Sequence, residues 1–161
     1  MSNISDRAGS RPRGKLSYRV LLNFQRIILA FWIGGMWIVG YLVVPVLFQQ
    51  LPTPQMAGSL AGVLFILLSW TGLIAALLLI VIYSIIDKAK WRFAVLLLIT
   101  LFIAVNLFYL TPEIAALREL AGTLQKGTEI HSRFALLHGI ASGIYLLVSL
   151  LGLLLVIRQP E

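Results

Sequence analysis

The sequence predicts an all-α integral membrane protein, a four-helix bundle with both termini on one side and a helical connection between spans three and four on the other. Three stretches without a charged residue support this prediction, at residues 27–86, 93–112 and 134–157. A span needs about 20 apolar residues to cross ~30 Å of hydrocarbon, so the first stretch is long enough for two spans and each of the others for one. The composition agrees, since 60% of the residues are hydrophobic and 12% are charged.

The elements follow from the polar breaks between these stretches. The segment 1–17 is polar and basic and lacks the apolar centre of a signal peptide, so we expect a disordered cytoplasmic tail. Residues 49–54 contain two prolines and two glutamines and predict a hairpin between spans one and two. Pro45 and Pro112 stand near the ends of spans one and three, where a missing N–H costs least or produces a kink, and helical spacing of apolar residues continues beyond Pro112. Residues 18–158 then form one domain with spans at about 27–48, 60–86, 93–111 and 134–157.

The basic residues predict the orientation of the chain. The net charge is +7, and the whole basic excess lies before span one, between spans two and three, and after span four. The hairpin is uncharged, and the connection between spans three and four has equal numbers of acids and bases. By the positive-inside rule we expect both termini to be cytoplasmic, in a bacterial inner membrane. Because the basic residues flank the spans, we expect contact with the lipid bilayer and none with nucleic acid.

Small residues at four-residue spacing predict close approach of helix backbones. Gly58 and Gly62 form one such pair, Gly139 and Gly143 a second, and a third consists of an alanine and Gly34. Two interpretations of these pairs stay open. They pack inside the bundle, or they form a face that docks another copy of the chain.

Polar side chains within the spans are the candidate functional site. They form one stripe on span four, with steps of four, three and four residues, and a second stripe on span three. Because consecutive spans run in opposite directions, members of both stripes lie near the same end of the bundle, where they would suit a proton, a metal ion or a polar solute. The alternative is that they form interhelical hydrogen bonds that hold the bundle together. The predicted recess consists of Tyr41, Asn106, Tyr109, Glu113, His138 and Ser142, and the span-four stripe also includes Tyr145 and Ser149.

No metal, cofactor or catalytic group is predicted. His131 and His138 are separated by about 10 Å along a helix, too far to share a metal ion with bonds of ~2.1 Å. The chain has no cysteine, and it lacks a glycine-rich phosphate loop, a nucleophile elbow and a His-Glu-x-x-His motif. We therefore expect a protein that is not an enzyme.

Three short motifs carry a resemblance to known families. They are Phe31-Trp-Ile-Gly-Gly-Met-Trp37 with Pro45, Asn106-Leu-Phe-Tyr-Leu-Thr-Pro112 with Arg118, and Arg133-Phe134 with Leu137-His138-Gly139. With these motifs the chain resembles the transmembrane protein 205-like family, small four-span proteins catalogued as a domain of unknown function. The first motif is also similar to copper-resistance-D-type membrane proteins and to the four-helix haem-pathway oxidases. The resemblance implies no assigned reaction. If the motif residues of the family have a function, the residues of this chain to which it would apply are Trp32, Gly34, Gly35, Trp37, Pro45, Asn106, Pro112, Arg118, Arg133, Phe134 and His138.

Three functions are open at this point. We expect first a non-enzymatic scaffold or accessory subunit that docks onto a larger membrane complex or onto copies of itself. The second is transport or binding of a small solute or metal ion at the predicted recess. The third is a haem or quinone redox role.

Overall fold

The computed structural model describes residues 13–86, 90–123 and 129–158, and all of these except one short connection and the last residue are helical. Two of the four helical rods are interrupted by a five-residue π-helical turn, which is wider than an α-helical turn. We call these the first wide turn and the second wide turn. The first rod consists of α1 (Arg13–Ile38), the first wide turn (Val39–Val43) and α2 (Val44–Gln50), and the second rod is α3 (Pro54–Ile86). The third rod consists of α4 (Lys90–Val105), the second wide turn (Asn106–Leu110) and α5 (Thr111–Thr123), and the fourth rod is α6 (Glu129–Ile157).

The four rods confirm the predicted fold class. Each is long and apolar enough to cross a membrane, over Tyr18–Gln50, Pro54–Ile85, Lys90–Leu120 and Glu129–Ile157. The helical continuation beyond Pro112 is present as α5. One predicted boundary differs, because α1 begins at Arg13 and makes residues 13–17 helical, while the rest of the expected tail, residues 1–12, lies outside the described residues.

The hairpin between the first two rods is short, and α3 starts earlier than its apolar run predicts. Thr53 caps α3, because its hydroxyl accepts a hydrogen bond from the N–H of Met56 at 3.2 Å and its carbonyl accepts one from the N–H of Ala57 at 3.2 Å. Pro54 occupies the first helical position, where its missing N–H has no partner to lose. We call the end of the bundle with this connection the hairpin end.

The rods form a square in which the first and third occupy opposite corners. α1 packs against α3 and α6, and α4 also packs against α3 and α6. The buried core lies between all four and consists of Leu29, Trp32, Ile33, Met36, Ala75, Ala76, Leu79, Tyr83, Leu96, Ile99, Ile103, Val148 and Leu155. Large apolar side chains such as Phe31 and Leu77 are exposed on the outer surface, as expected where the solvent is lipid.

Both wide turns are followed at the same spacing by a proline. Pro45 stands two residues after Val43, and Pro112 stands two residues after Leu110. A proline inside a helix lacks an N–H, and its ring collides with the carbonyl four residues earlier. Widening the preceding turn moves that carbonyl away, so the two prolines account for the two π-helical turns.

Candidate functional site

The first wide turn is held by a tyrosine from the opposite end of the chain. The Tyr145 hydroxyl donates a hydrogen bond to the Met36 carbonyl at 2.6 Å, and the backbone N–H of Gly40 bonds the same hydroxyl. Met36 and Gly40 are four residues apart, the spacing at which a regular α-helix pairs C=O with N–H. The tyrosine hydroxyl therefore bridges two backbone groups of α1 and the wide turn.

Gly40 makes room for this arrangement. A β-carbon at this position would lie 2.5 Å from Cε1 and 2.8 Å from the hydroxyl oxygen of Tyr145. The Tyr145 ring also packs edge-on against Phe65, with 5.0 Å between ring centroids. Three rods thus meet at this one side chain, and only glycine lets the first rod approach it so closely.

A second hydroxyl pair lies next to the first. The hydroxyls of Tyr41 and Ser149 are 3.1 Å apart, and Ser149 also donates to the Leu146 carbonyl. The Tyr41 ring lies 5.2 Å from that of Trp37 and 6.3 Å from that of Tyr145. These hydrogen bonds join the first and fourth rods, which is the structural role that the alternative interpretation of the polar stripes predicts.

The second wide turn borders a small central cavity. The carbonyl of Asn106 accepts both the backbone N–H of Thr111 and its hydroxyl, the latter at 2.8 Å. The cavity has a volume of about 20 Å³ and is lined by residues from all four rods, which are Trp32, Met36, Leu68, Ser69, Ile103, Asn106, Ile144, Tyr145 and Val148. This volume is sufficient for about one water molecule, and the polar groups on its wall suit a water more than a solute.

The structure does not gather the six residues of the predicted recess into one site. Tyr41 and Asn106 lie at the two places just described. Glu113 faces Arg133, with 3.9 Å between Oε2 and Nη2 and both side chains largely exposed. Tyr109 is exposed. The sequence left open whether Glu113 reaches His138, and among the described residues Glu113 contacts Arg133 while His138 contacts Phe134.

His138 and Ser142 lie on the outer surface of α6. The imidazole stacks on the ring of Phe134, with 5.8 Å between centroids and 10° between planes. The Ser142 hydroxyl donates to the His138 carbonyl at 2.8 Å. Both side chains are exposed, so the imidazole contacts a ring of its own helix and faces out of the bundle.

The predicted glycine pairs have different surroundings. A β-carbon at Gly139 or Gly143 would meet nothing within 4 Å, so this pair faces open space on α6. Gly58 and Gly62 instead lie under the side chain of Arg118, because a β-carbon at Gly58 would be 3.6 Å and one at Gly62 would be 3.4 Å from its nearest atom. The first pair lies on the outer surface, and the second accommodates a side chain of the same protein.

The other motif residues lie in different surroundings. Trp32 is buried in the core, Trp37 is exposed, and Gly34 has open space beside it. A β-carbon at Gly35 would make an ordinary contact of 3.7 Å with Leu68. No group of three or more potential metal ligands occurs within residues 13–86, 90–123 and 129–158.

Sequence reasoning missed Gln25, which is fully buried in the first rod. Neither its Oε1 nor its Nε2 has a hydrogen-bond partner among the described residues. The only signal was a polar residue at helical spacing from Leu22 and Leu29, which are both buried. An unpaired buried amide costs roughly 1–3 kcal/mol, so Gln25 lowers the stability of the fold.

We therefore expect Gln25→Leu to raise the free energy of unfolding by about 1–3 kcal/mol, because it removes two unpaired polar groups without changing much volume. Unfolding of the purified protein by titration with sodium dodecyl sulfate, followed by circular dichroism, measures this change. Asn23→Leu is the matched control, since Asn23 is exposed on the same helix. A lower free energy of unfolding in Gln25→Leu than in the wild type would contradict the conclusion that the Gln25 amide is unpaired.

The fold and the site together define a small helical membrane protein with four candidate spans, tyrosine hydrogen bonds between its first and fourth rods, and a polar, glycine-containing outer face on α6. The chain belongs to the family described as Domain of unknown function (DUF4149), whose family profile matches residues 27–123. This match covers the first rod from residue 27 onward, all of the second and third rods, and both wide turns. In the two further comparisons, no curated protein and no solved structure matches the chain. The likenesses to the transmembrane protein 205-like and copper-resistance-D-type families stay predictions.

Proposed function

We propose that this protein is a non-enzymatic membrane component, a small scaffold or accessory subunit that docks onto a transmembrane helix of a partner protein through α6. The main support for this proposal is the exposed surface of α6. Gly139 and Gly143 face open space beside the exposed His138 and Ser142, within a rod that is long and apolar enough to cross a membrane.

This face of α6 suits a helix more than it suits lipid. Helices associate in lipid by close packing and interhelical hydrogen bonds, and small residues let the two backbones approach. A polar side chain that faces hydrocarbon is unfavourable unless it has a partner. A helix seated on the two glycines would cover His138 and could accept a hydrogen bond from its imidazole.

The orientation in the membrane is part of the proposal. The concentration of Arg and Lys beside the termini and between the second and third rods supports cytoplasmic termini in a bacterial inner membrane. In that orientation His138 lies toward the outer face of the bilayer. Solute transport has less support, because the predicted recess is not assembled and the central cavity of about 20 Å³ has room for about one water molecule.

We expect Gly139→Leu and Gly143→Leu to reduce the amount of partner that co-purifies from native membranes by about tenfold or more, since losing ~1.4 kcal/mol of association energy has this effect. The measurement is quantitative mass spectrometry of the tagged full-length chain in mild detergent. A photo-crosslinking residue at the exposed Leu146 should capture the same partner.

Matched controls separate docking from folding. Ala94→Leu makes a comparable change at an exposed position of α4, and Leu97 is the control site for the crosslinker because it is similarly exposed on α4. Both controls should leave the partner unchanged. A lone monomer with no crosslink at Leu146 would overturn the proposal, whereas a crosslink to a second copy would make the partner another molecule of this chain.

A further inference from the structure

The Arg118 side chain lies in a slot on α3 that is formed by two glycines. A β-carbon at Gly58 would be 3.6 Å from Nε and 3.7 Å from Cζ, and one at Gly62 would be 3.4 Å from Nη1 and 3.9 Å from Nη2. The guanidinium therefore lies over both glycines, with Nε on the side of Gly58 and Nη1 on the side of Gly62. A β-carbon alone would make ordinary contacts at either position, and a longer side chain would displace the guanidinium.

This guanidinium has no acidic partner among residues 13–86, 90–123 and 129–158. The described ion pair at the same end of the bundle joins Arg133 to Glu113. No described acceptor forms a hydrogen bond with Arg118, although its side chain is partly buried. A guanidinium carries five N–H donors and strongly favours carboxylate or phosphate oxygens, so the slot holds a cation with its donors unused.

A second positive feature lies next to the slot. α3 begins at Pro54 and has no acidic residue in its first turn, so no carboxylate of that turn offsets the partial positive charge of the helix N-terminus. Gly58 is only four residues from this start. The position of Arg118 close to the end of the candidate span Lys90–Leu120 corresponds to the level of lipid headgroups.

We propose that Arg118 and the adjoining start of α3 form a binding site for a phosphate group, supplied by a phospholipid headgroup or by free phosphate. Its residues lie on α3 and α5, so this site is independent of the α6 docking face. The phosphate would neutralise Arg118, accept the guanidinium donors that lie along the two glycines, and face the positive end of α3.

The test uses the full-length protein in an uncharged glycoside detergent. Native mass spectrometry measures retention of added phosphatidylglycerol, with diacylglycerol as the phosphate-free comparison. A parallel thermal unfolding series measures the response to inorganic phosphate. We expect Arg118→Gln to bind phosphatidylglycerol at least about tenfold more weakly than the wild type, and Arg118→Lys to recover only part of the binding because it keeps the charge and loses the fork.

Arg133→Gln is the matched control, since it removes one positive charge from the same end and should leave binding intact. Retention of phosphatidylglycerol without a response to millimolar phosphate assigns the site to a lipid headgroup, and the converse assigns it to free phosphate. Equal retention by the wild type, Arg118→Gln and Arg133→Gln, with no phosphate response, would overturn the proposal. Circular dichroism and the melting temperature of each variant without ligand show whether it has folded.

Discussion

Replacing Gly40 with alanine is expected to lower the free energy of unfolding by about 2–3 kcal/mol. The new β-carbon would lie 2.5 Å from Cε1 of Tyr145, a separation that the two atoms cannot keep. The ring cannot move aside easily, because its hydroxyl is bonded to the Met36 carbonyl and the ring packs against Phe65. Relief of the collision would break that hydrogen bond and separate the first and fourth rods. Detergent unfolding curves of the purified variant measure the loss.

Gly143→Ala provides the comparison for Gly40→Ala. It adds the same methyl group within a helix, but at a position with nothing within 4 Å, so its stability should differ little from that of the wild type. In a Tyr145→Leu background, Gly40→Ala should lower the free energy of unfolding by a smaller amount, because the ring that collides with the new β-carbon is absent. Equal stabilities of Gly40→Ala and Gly143→Ala would contradict the close contact between Gly40 and Tyr145.

Gly72→Ala is expected to lower the free energy of unfolding by about 1–3 kcal/mol. A β-carbon there would lie 2.8 Å from Nε1 and 3.2 Å from Cε2 of Trp32, and 3.0 Å from Cδ1 of Ile103. The indole is buried at the centre of the core and is rigid, so the first and second rods must separate to accept the methyl group. The same detergent unfolding measurement gives this change. In a Trp32→Phe background, Gly72→Ala should lower the free energy of unfolding by a smaller amount.

Gly152→Ala tests whether the loss of stability in Gly72→Ala comes from the rigidity of the neighbouring side chain or from crowding alone. Its β-carbon would also collide with a neighbour, but that neighbour is the flexible end of Ile33, which can rotate away. We therefore expect Gly152→Ala to be milder than Gly72→Ala. The opposite order would show that the stiffness of Trp32 does not determine the cost.

The number and approximate position of the spans could be predicted from the sequence. Hydrocarbon requires every backbone polar group to be paired within the helix and every span to have a minimum apolar length, and both demands act on contiguous residues. The helical continuation beyond Pro112 was predictable for the same reason, because apolar spacing is a local property. The wide turns were only partly predictable, since Pro45 and Pro112 indicated a disturbance without its form.

The candidate site could not be predicted in this way. Placing Glu113 with His138 required the rotation of each helix about its own axis, which hydropathy does not fix when most of the surface is apolar. The structure turns His138 outward onto Phe134 and pairs Glu113 with Arg133. The glycine pairs were equally ambiguous, because the same spacing faces open space on α6 and a guanidinium on α3.

Four apolar helical spans, with prolines near the ends of the first and third, could be inferred from the order of the residues alone. Three other features required the folded structure. Tyr145 bridges Met36 and Gly40, Arg118 lies on Gly58 and Gly62, and Gln25 is buried with no hydrogen-bond partner among the described residues. The physical reason is distance along the chain. Span formation depends on neighbouring residues, whereas each of these contacts depends on how separate helices rotate and pack when lipid gives no hydrophobic preference for one face over another.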